Sequence, residues 1–319
     1  MKLEIKLADK LLHGCFDGLL VSVAEWEKKD YRLAHAEAWD FIVNYDLDQN
    51  HPETSYGLLD KPNTLNRDLL KTYGGISYNY YEFNHNTDDF LAILKNELSN
   101  QRPIILRLDY YWCPWNKDVS KITQMPGHGS LVKGLDDSGI ICLDYSPRCE
   151  KCIFPYQNID KIDGYCTINV EEPAVDYNYN DIIDLGINII EGHDIFNNLR
   201  KFGKYIRESF NPIKDLGYME DNPYIPNLWQ ISLTAESRDL YSNTLRAIGE
   251  KYNVKSLFTI AERLALVKPM WSAVRILLNK IYLTKDLRMI NMLAEKIYEI
   301  ADYEEAIYNS LVLINKNPN

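Results

Sequence analysis

The sequence is poor in cysteine and contains no long apolar run. Six cysteines in 319 residues are too few for a disulfide-stapled scaffold, so we expect thiols that serve as core residues, metal ligands or nucleophiles. The first 15 residues include Glu4 and Asp9, and they match neither a signal peptide nor a membrane span. These absences predict a cytoplasmic protein.

Positive charge is also in short supply. The 35 Lys and Arg residues against 46 Asp and Glu give a formal charge of -11, which excludes non-specific attraction to nucleic acid or an anionic membrane. Neither a P-loop nor a dinucleotide fingerprint is present, so no nucleotide cofactor is expected. With 46% hydrophobic and 25% charged residues, the chain has the composition of a globular protein that is folded throughout.

The pattern of apolar residues predicts helices in the first 100 residues. Phe16, Leu19 and Val23 recur at helical spacing, which predicts a helix that begins at or near Cys15. A second helix is predicted over about 33–45. Thr87 precedes two aspartates and is the predicted N-cap of a third helix, which ends before Pro103.

Strand patterns follow, and then helical patterns return. The segments PIILRLDYY, HGSLVKGL, GIICLDYS and YCTINV are short, apolar and rich in β-forming residues. From about residue 180 the segments are amphipathic with helical spacing. We therefore predict an α+β protein with two domains: residues 1–172, with helices and an antiparallel sheet, and residues 173–319, all helical.

Cys15 occupies a position that suits a nucleophile. A reactive thiol needs a base, a group that orients the base and donors for the oxyanion, and a helix N-terminus favours the thiolate. Gly14 and Gly18 leave room for a substrate to approach the backbone, and the first-turn amides can donate to an oxyanion. Taken alone, Cys15 is better explained as a buried structural thiol.

His128 and Asp144 are predicted to meet. His128 opens the strand HGSLVKGL, Asp144 lies near the end of IICLDYS, and the sequence DDSG between these strands is typical of a hairpin loop. A hairpin makes the two strand ends neighbours. The pattern therefore predicts an imidazole held by a carboxylate, although His128 by itself also fits a structural histidine.

The order of these three residues resembles the papain-like superfamily. The early Cys before a helix, the stretch QRPIILRLDYYWCPW and the stretch HGSLVKGLDDSGIICLDYSP are similar to the N-terminal domain of the butirosin H-type family, over roughly residues 14–147. The resemblance implies a cysteine acyltransferase without cofactor or metal. It takes an acyl chain from the phosphopantetheine thioester of a carrier protein and passes it to an amine in antibiotic biosynthesis.

Carried over by position, the resemblance makes Cys15 the nucleophile, His128 the general base and acid, and Asp144 the orienting group. The sequence departs from papain-like proteases in two ways: Asp144 replaces the usual Asn, and Asp9 stands where a Gln commonly completes the oxyanion hole. The second oxyanion donor is thus unassigned. A cysteine peptidase or amidase is the alternative function, and a non-catalytic scaffold is a third.

Several other residues have two interpretations. The residues that follow the strand segment PIILRL line either the substrate pocket or the core. They are Asp109, Tyr110, Tyr111 and Trp112. Cys113, the next residue, is likewise either pocket wall or core. Cys149 and Cys152 form half of a zinc motif without a second half, which favours a loop with ordinary thiols. A basic helical stripe either docks an acidic carrier protein or is a solvated face; it comprises Arg200, Lys204 and Arg207.

Overall fold

The structure, a computed structural model, describes residues 2–8, 15–44, 59–60, 62–116, 127–145, 148–173, 176–215 and 226–316. The chain divides into two compact units. The first comprises Met1–Tyr31 and Arg67–Asp176, and the second comprises Arg32–Asn66 and Tyr177–Asn319. In the part of the chain that the structure describes, no helix has the length and apolar character to cross a membrane.

The first unit combines helices with one sheet. Its helices are α1 (Cys15–Trp26), α2 (Arg67–Gly74) and α3 (Thr87–Ser99). Its strands are β1 (Ile76–Glu82), β2 (Ile104–Leu108), β3 (His128–Asp136), β4 (Gly139–Tyr145), β5 (Arg148–Phe154) and β6 (Ile162–Val170). The six strands run in the order β1-β6-β2-β3-β4-β5, and every neighbouring pair is antiparallel. The predicted α+β class is confirmed.

The predicted hairpin joins β3 to β4. Asp136 pairs with Gly139, and the Asp136 carboxylate accepts from the backbone amide of Ser138 at 2.8 Å. This local hydrogen bond is the one by which Asp side chains favour tight turns. The turn brings the end of β4 back beside the start of β3.

Helix α1 begins at Cys15, as the apolar spacing predicts. Leu19, Leu20 and Val23 are fully buried, and α1 packs on β3 and β4. Helix α3 begins one residue from the predicted position. Asn86 is the N-cap because its side chain accepts from the Asp89 amide, whereas Thr87 is already helical.

The interpretation of Cys149 and Cys152 as ordinary thiols in a loop is wrong. Both lie in β5, which pairs with β4, and a disulfide joins them. The intervening Glu150 and Lys151 are exposed, as an edge strand allows, while Cys152 and Phe154 are buried. The disulfide leaves neither sulfur as a thiolate for a zinc ion.

The second unit is helical. Its helices are α4 (Tyr179–Gly192), α5 (Ile195–Glu208), α6 (Pro212–Asp215), α7 (Pro226–Tyr252), α8 (Lys255–Ala265), α9 (Val267–Thr284) and α10 (Ile290–Lys316). A fully buried ion pair joins Arg238 of α7 to Glu304 of α10 at 3.0 Å. The indole nitrogens of Trp39 and Trp271 also donate to Glu304.

Residues 32–66 belong to this second unit, whereas the sequence interpretation placed them in the N-terminal domain. The helix predicted over 33–45 is wrong: a short 3-10 helix covers Arg32–His35, and irregular chain follows. Trp39 packs against Tyr241 at 5.5 Å between ring centroids, and the Asp40 carbonyl accepts from Arg238. These tertiary contacts replace the helical hydrogen bonds that the local pattern favoured.

The basic stripe on α5 is paired within its own unit. Arg200 bonds to Asp302 and Glu305 of α10, and Arg207 bonds to Glu295. Lys204 lies 4.0 Å from Glu208. Because these charges already have acidic partners, we do not propose that the stripe docks a carrier protein.

Candidate catalytic site

His128 and Asp144 form a buried hydrogen-bonded pair. Nε2 of His128 lies 2.7 Å from Oδ2 of Asp144. His128 is 8% exposed and Asp144 is fully buried. The β3–β4 hairpin therefore brings imidazole and carboxylate together, which is the pairing that a catalytic histidine needs for orientation.

Two further donors hold the same carboxylate oxygen. Oγ of Ser130 and Nε1 of Trp115 each donate to Oδ2 of Asp144 at 2.8 Å. Ser130 lies two residues after His128 in β3, so both side chains project from the same face of the strand. With three donors on one oxygen, Asp144 is fixed in position, and His128 is fixed through it.

Cys15 lies at the N-terminus of α1, half-buried, with its thiol interacting with the His128 side chain. Because Asp144 occupies Nε2, Nδ1 is the imidazole nitrogen left for the thiol. Burial alone would lower the pKa of His128, but its hydrogen bonds and charge interactions with Asp144 and Cys15 raise the pKa from 6.5 to about 9. The imidazolium form therefore dominates at neutral pH.

The four predicted pocket residues have different surroundings. Tyr110 is buried and lies against the His128 ring, with 4.7 Å between ring centroids. Asp109 caps the 3-10 helix Tyr110–Trp112 by accepting from the Tyr111 amide at 2.9 Å. Tyr111 and Trp112 are exposed and pack on each other. The structure thus brings Tyr110 to the imidazole and turns Tyr111 and Trp112 to the surface.

Cys113 is a buried neighbour of this site. Burial raises the pKa of its thiol, and the nearby charge of Asp144 adds to the effect. A thiol that resists deprotonation is a poor nucleophile, since the thiolate is the reactive form. Cys113 therefore serves as packing beside the site, as the core interpretation of the sequence has it.

The donor atoms of Cys113, His128 and Asp144 lie within 4.8 Å of one another, which is close enough for a metal. The donor set does not fit one. The Asp144 oxygen already accepts three hydrogen bonds, and a Cys ligand would have to be a thiolate. We therefore interpret the cluster as a hydrogen-bonded network.

A pocket of about 410 Å³ adjoins the site. Its lining includes the chain neighbours of Cys15 and His128: Phe16 follows Cys15, and Gly127 precedes His128. The other lining residues are Arg67, Tyr78, Tyr80, Arg107, Asp163 and Cys166. The pocket is thus aromatic and carries two arginines, in a protein whose formal charge is negative.

Several of these residues escaped the sequence analysis. Ser130 had a signal, because alternation in a strand places residues 128 and 130 on one face. Arg107 also had one, since a cation within the buried run IILRL needs a reason. Trp115, Arg67 and the tyrosines of β1 had none, because only the folded chain brings them near residues 15, 128 and 144.

The oxyanion donors are assigned in part. The first-turn amides of α1 have no partner within the helix and lie beside the Cys15 sulfur, where an oxyanion would form. Asp9, which stands where papain-like proteases carry Gln, lies outside the described residues, as does Gly14.

Comparisons with protein-family models and with curated proteins found no match. The function is therefore inferred from the geometry of the site and from the resemblance of residues 14–147.

Proposed function

We propose that the chain is a papain-like cysteine acyltransferase. It takes an acyl group from a carrier-protein thioester and transfers it to an amine, which forms an amide bond in the biosynthesis of an antibiotic or a similar secondary metabolite. The observation that supports the proposal is a chain of interactions: the Cys15 thiol interacts with His128, and His128 is hydrogen-bonded to Asp144. Cys15 itself lies at a helix N-terminus. The carrier-protein donor comes from the resemblance to the butirosin H-type family.

In the first step, the Cys15 thiolate attacks the thioester carbonyl carbon. The negative charge that develops on oxygen lies near the first-turn amides of α1. When the tetrahedral intermediate collapses, the bond from carbon to the pantetheine sulfur breaks, and the His128 imidazolium gives its proton to the leaving thiolate. The products are acyl-Cys15 and the free carrier thiol, and a thioester has been exchanged for a thioester of similar energy.

In the second step, an amine attacks acyl-Cys15 and gives up a proton to the now neutral His128. Collapse of this intermediate breaks the bond to the Cys15 sulfur, which returns to the thiolate beside imidazolium. The product is an amide. Because an amide is more stable than a thioester, the second step supplies the driving force, and neither ATP nor a metal is required.

The same residues would also serve a papain-like peptidase or amidase, which is the alternative. That enzyme would deliver water to the acyl-Cys and would need no carrier protein. Asp9 in the position of the usual Gln argues for transfer, because typical proteases depend on that oxyanion donor. A non-catalytic scaffold is the third candidate, and an unreactive Cys15 would favour it.

The proposal includes a partner and a compartment. The proposed partner is an acyl or peptidyl carrier protein with a phosphopantetheine arm. The second substrate is an amine acceptor. We propose no interaction with nucleic acid or with a membrane. The proposed compartment is the cytoplasm. The Tyr-rich chain also resembles the papain-like enzyme that forms amide bonds in closthioamide assembly.

Product analysis tests the proposal. The chain is incubated with an acyl-loaded carrier protein and a panel of amines, and the products are separated by liquid chromatography and identified by mass. We expect an amide from the wild type and none from Cys15→Ala, while Cys113→Ala matches the wild type. Hydrolysis of peptides without any carrier-dependent amide would establish the peptidase alternative instead.

A further inference from the structure

Arg107 lies in the sheet with a glycine on either side. Arg107 belongs to β2, and it pairs with Gly129 of β3 on one side and with Gly164 of β6 on the other. Directly paired residues project from the same face of a sheet, so neither neighbour of Arg107 has a side chain on its face. Aromatic rings border the two glycines: a Cβ at Gly164 would lie 2.6 Å from the Tyr80 hydroxyl, and a Cβ at Gly129 would lie 3.4 Å from the Phe16 ring.

The Arg107 guanidinium lies beside the chain neighbours of Cys15 and His128. Its carbon lies 5.2 Å from the centre of the Phe16 ring, and its Nη2 would lie 2.7 Å from a Cβ placed on Gly127. Among the residues that the structure describes, no carboxylate comes within ion-pairing distance of Arg107. Arg107 is half-buried in a strand whose other residues are buried, so its guanidinium is open to the pocket and to an anionic ligand.

A second arginine lies on the same ring. The Arg67 guanidinium carbon is 5.0 Å from the Phe16 centroid and 5.4 Å from that of Tyr78. Arg67 also contacts Asp17 at 3.3 Å, so part of its charge is already neutralised. Arg67 stacks on Phe16 and also donates to the Tyr78 hydroxyl and to Asp17, so the N–H donors that remain for an anion are mainly those of Arg107.

One acidic side chain shares the pocket. Partial burial and the nearby Asp109 raise the pKa of Asp163, while the charge of Arg107 acts in the opposite direction. Arg67 forms an ion pair with Asp17, whereas Arg107 and Asp163 influence each other through space without a direct ion pair among the described residues. The Arg107 guanidinium therefore keeps its N–H donors for an anionic group.

We propose that this pocket, lined by Arg107, Arg67 and Phe16, binds a carboxylate on the substrate of the acyl transfer; the inference rests on the proposed function. A guanidinium fork matches a carboxylate through two parallel hydrogen bonds. The phosphate of a phosphopantetheine arm stands at the far end of the arm from its thioester. The pocket begins beside Cys15 and His128. When the thioester reaches Cys15, the phosphate at the other end of the arm is therefore too far away to occupy this pocket.

Binding is tested first without any catalysis. Glutarate and its neutral analogue glutaramide are titrated into the full chain and followed by ligand-observed NMR, with wild type, Arg107→Gln, Arg107→Lys and Arg102→Gln. Arg102 is the matched control because it pairs with Glu97 outside the pocket. We expect glutarate to bind at least about 10-fold more tightly than glutaramide, a preference lost in Arg107→Gln and kept in Arg102→Gln.

The Arg107→Lys variant keeps the positive charge, so it should retain part of the preference for glutarate over glutaramide. That result would show that Arg107→Gln loses the preference because it loses the charge, and not because it misfolds. Equal binding of the two compounds to the wild type would overturn the proposal. So would a preference for glutarate that Arg107→Gln leaves unchanged. Neither outcome depends on acyl transfer, so this experiment tests carboxylate binding independently of the proposed function.

Two kinetic arms then locate the carboxylate on the donor or on the acceptor. In one arm, acyl groups that end in a carboxylate or a carboxamide are compared for the rate of acyl-Cys15 formation. In the other arm, glycine and glycinamide are compared for the rate at which they discharge acyl-Cys15. Arg107→Gln should slow the carboxylate compound about 10-fold in one arm and leave its neutral analogue unchanged. No effect in either arm would overturn a role in substrate recognition.

Discussion

Trp115 and His128 bind the same oxygen of Asp144. The indole nitrogen donates to Oδ2 at 2.8 Å, and the imidazole Nε2 lies 2.7 Å from that atom. Ser130 supplies a third hydrogen bond. The orientation of the His128 imidazole therefore depends on Trp115 and Ser130, which contact it only through the Asp144 carboxylate.

Replacement of Trp115 by Phe should slow the reaction with little effect on substrate binding. The substitution keeps a ring against Phe154 but removes one hydrogen bond to a charged group, so we expect about a 10-fold loss of kcat and a nearly unchanged KM. Ser130→Ala should have a similar effect. Steady-state kinetics of both variants check this, and wild-type kcat in both would show that His128 does not need this support.

Activity should decline at alkaline pH. The hydrogen bonds to Asp144 and Cys15 raise the pKa of His128 to about 9, so the imidazolium that protonates the leaving thiol is lost above that pH. In Asp144→Asn the carboxylate charge is gone and burial lowers the pKa, which should move the alkaline limb of the profile to lower pH. A profile of kcat/KM against pH for both proteins measures the shift, and coincident alkaline limbs would contradict the assignment.

Cys15 should react with alkylating reagents before the other thiols. It is half-buried beside imidazolium, whereas Cys113, Cys142 and Cys166 are buried, and burial raises the pKa of each of those three thiols. Peptide mapping after a short iodoacetamide treatment should place the first adduct on Cys15, and Cys113→Ala should react at the wild-type rate. A first adduct on Cys113 would refute this order.

Removal of one charge from the buried ion pair of the helical unit should destabilise the protein more than removal of a partly exposed charge. Glu304→Gln leaves Arg238 buried without a counter-charge, so we expect the free energy of unfolding to fall by about 3–5 kcal/mol. Glu305→Gln is the control, because its pair with Arg200 is partly exposed and should contribute less than about 1 kcal/mol. Urea unfolding of the two variants compares them, and equal losses would show that burial is not the cause.

Local sequence was sufficient for the parts of the site that lie on regular elements. The start of α1 at Cys15 and the β3–β4 hairpin both follow from short-range patterns, namely apolar spacing and turn residues. These two elements bring Cys15, His128 and Asp144 together. The site could be predicted from the sequence because its residues lie at the ends of strongly patterned elements.

The remaining features depend on contacts between distant parts of the chain. Strand β5 forms because β4 offers it hydrogen bonds, although its charged residues favour a loop. Residues 36–44 lack the predicted helix because Trp39 and Phe41 contact aromatic residues of the later helices. The Arg107 pocket needs glycines from two neighbouring strands, and the order of those strands is not encoded locally.

The most direct test of the central claim is the intact mass of the chain after incubation with an acyl-loaded carrier protein. We predict that the wild type gains the mass of the acyl group, that Cys15→Ala gains none, and that an added amine discharges the adduct as an amide. A wild-type chain that keeps its unmodified mass and yields no amide would contradict an acyl-Cys15 intermediate and the acyltransferase with it.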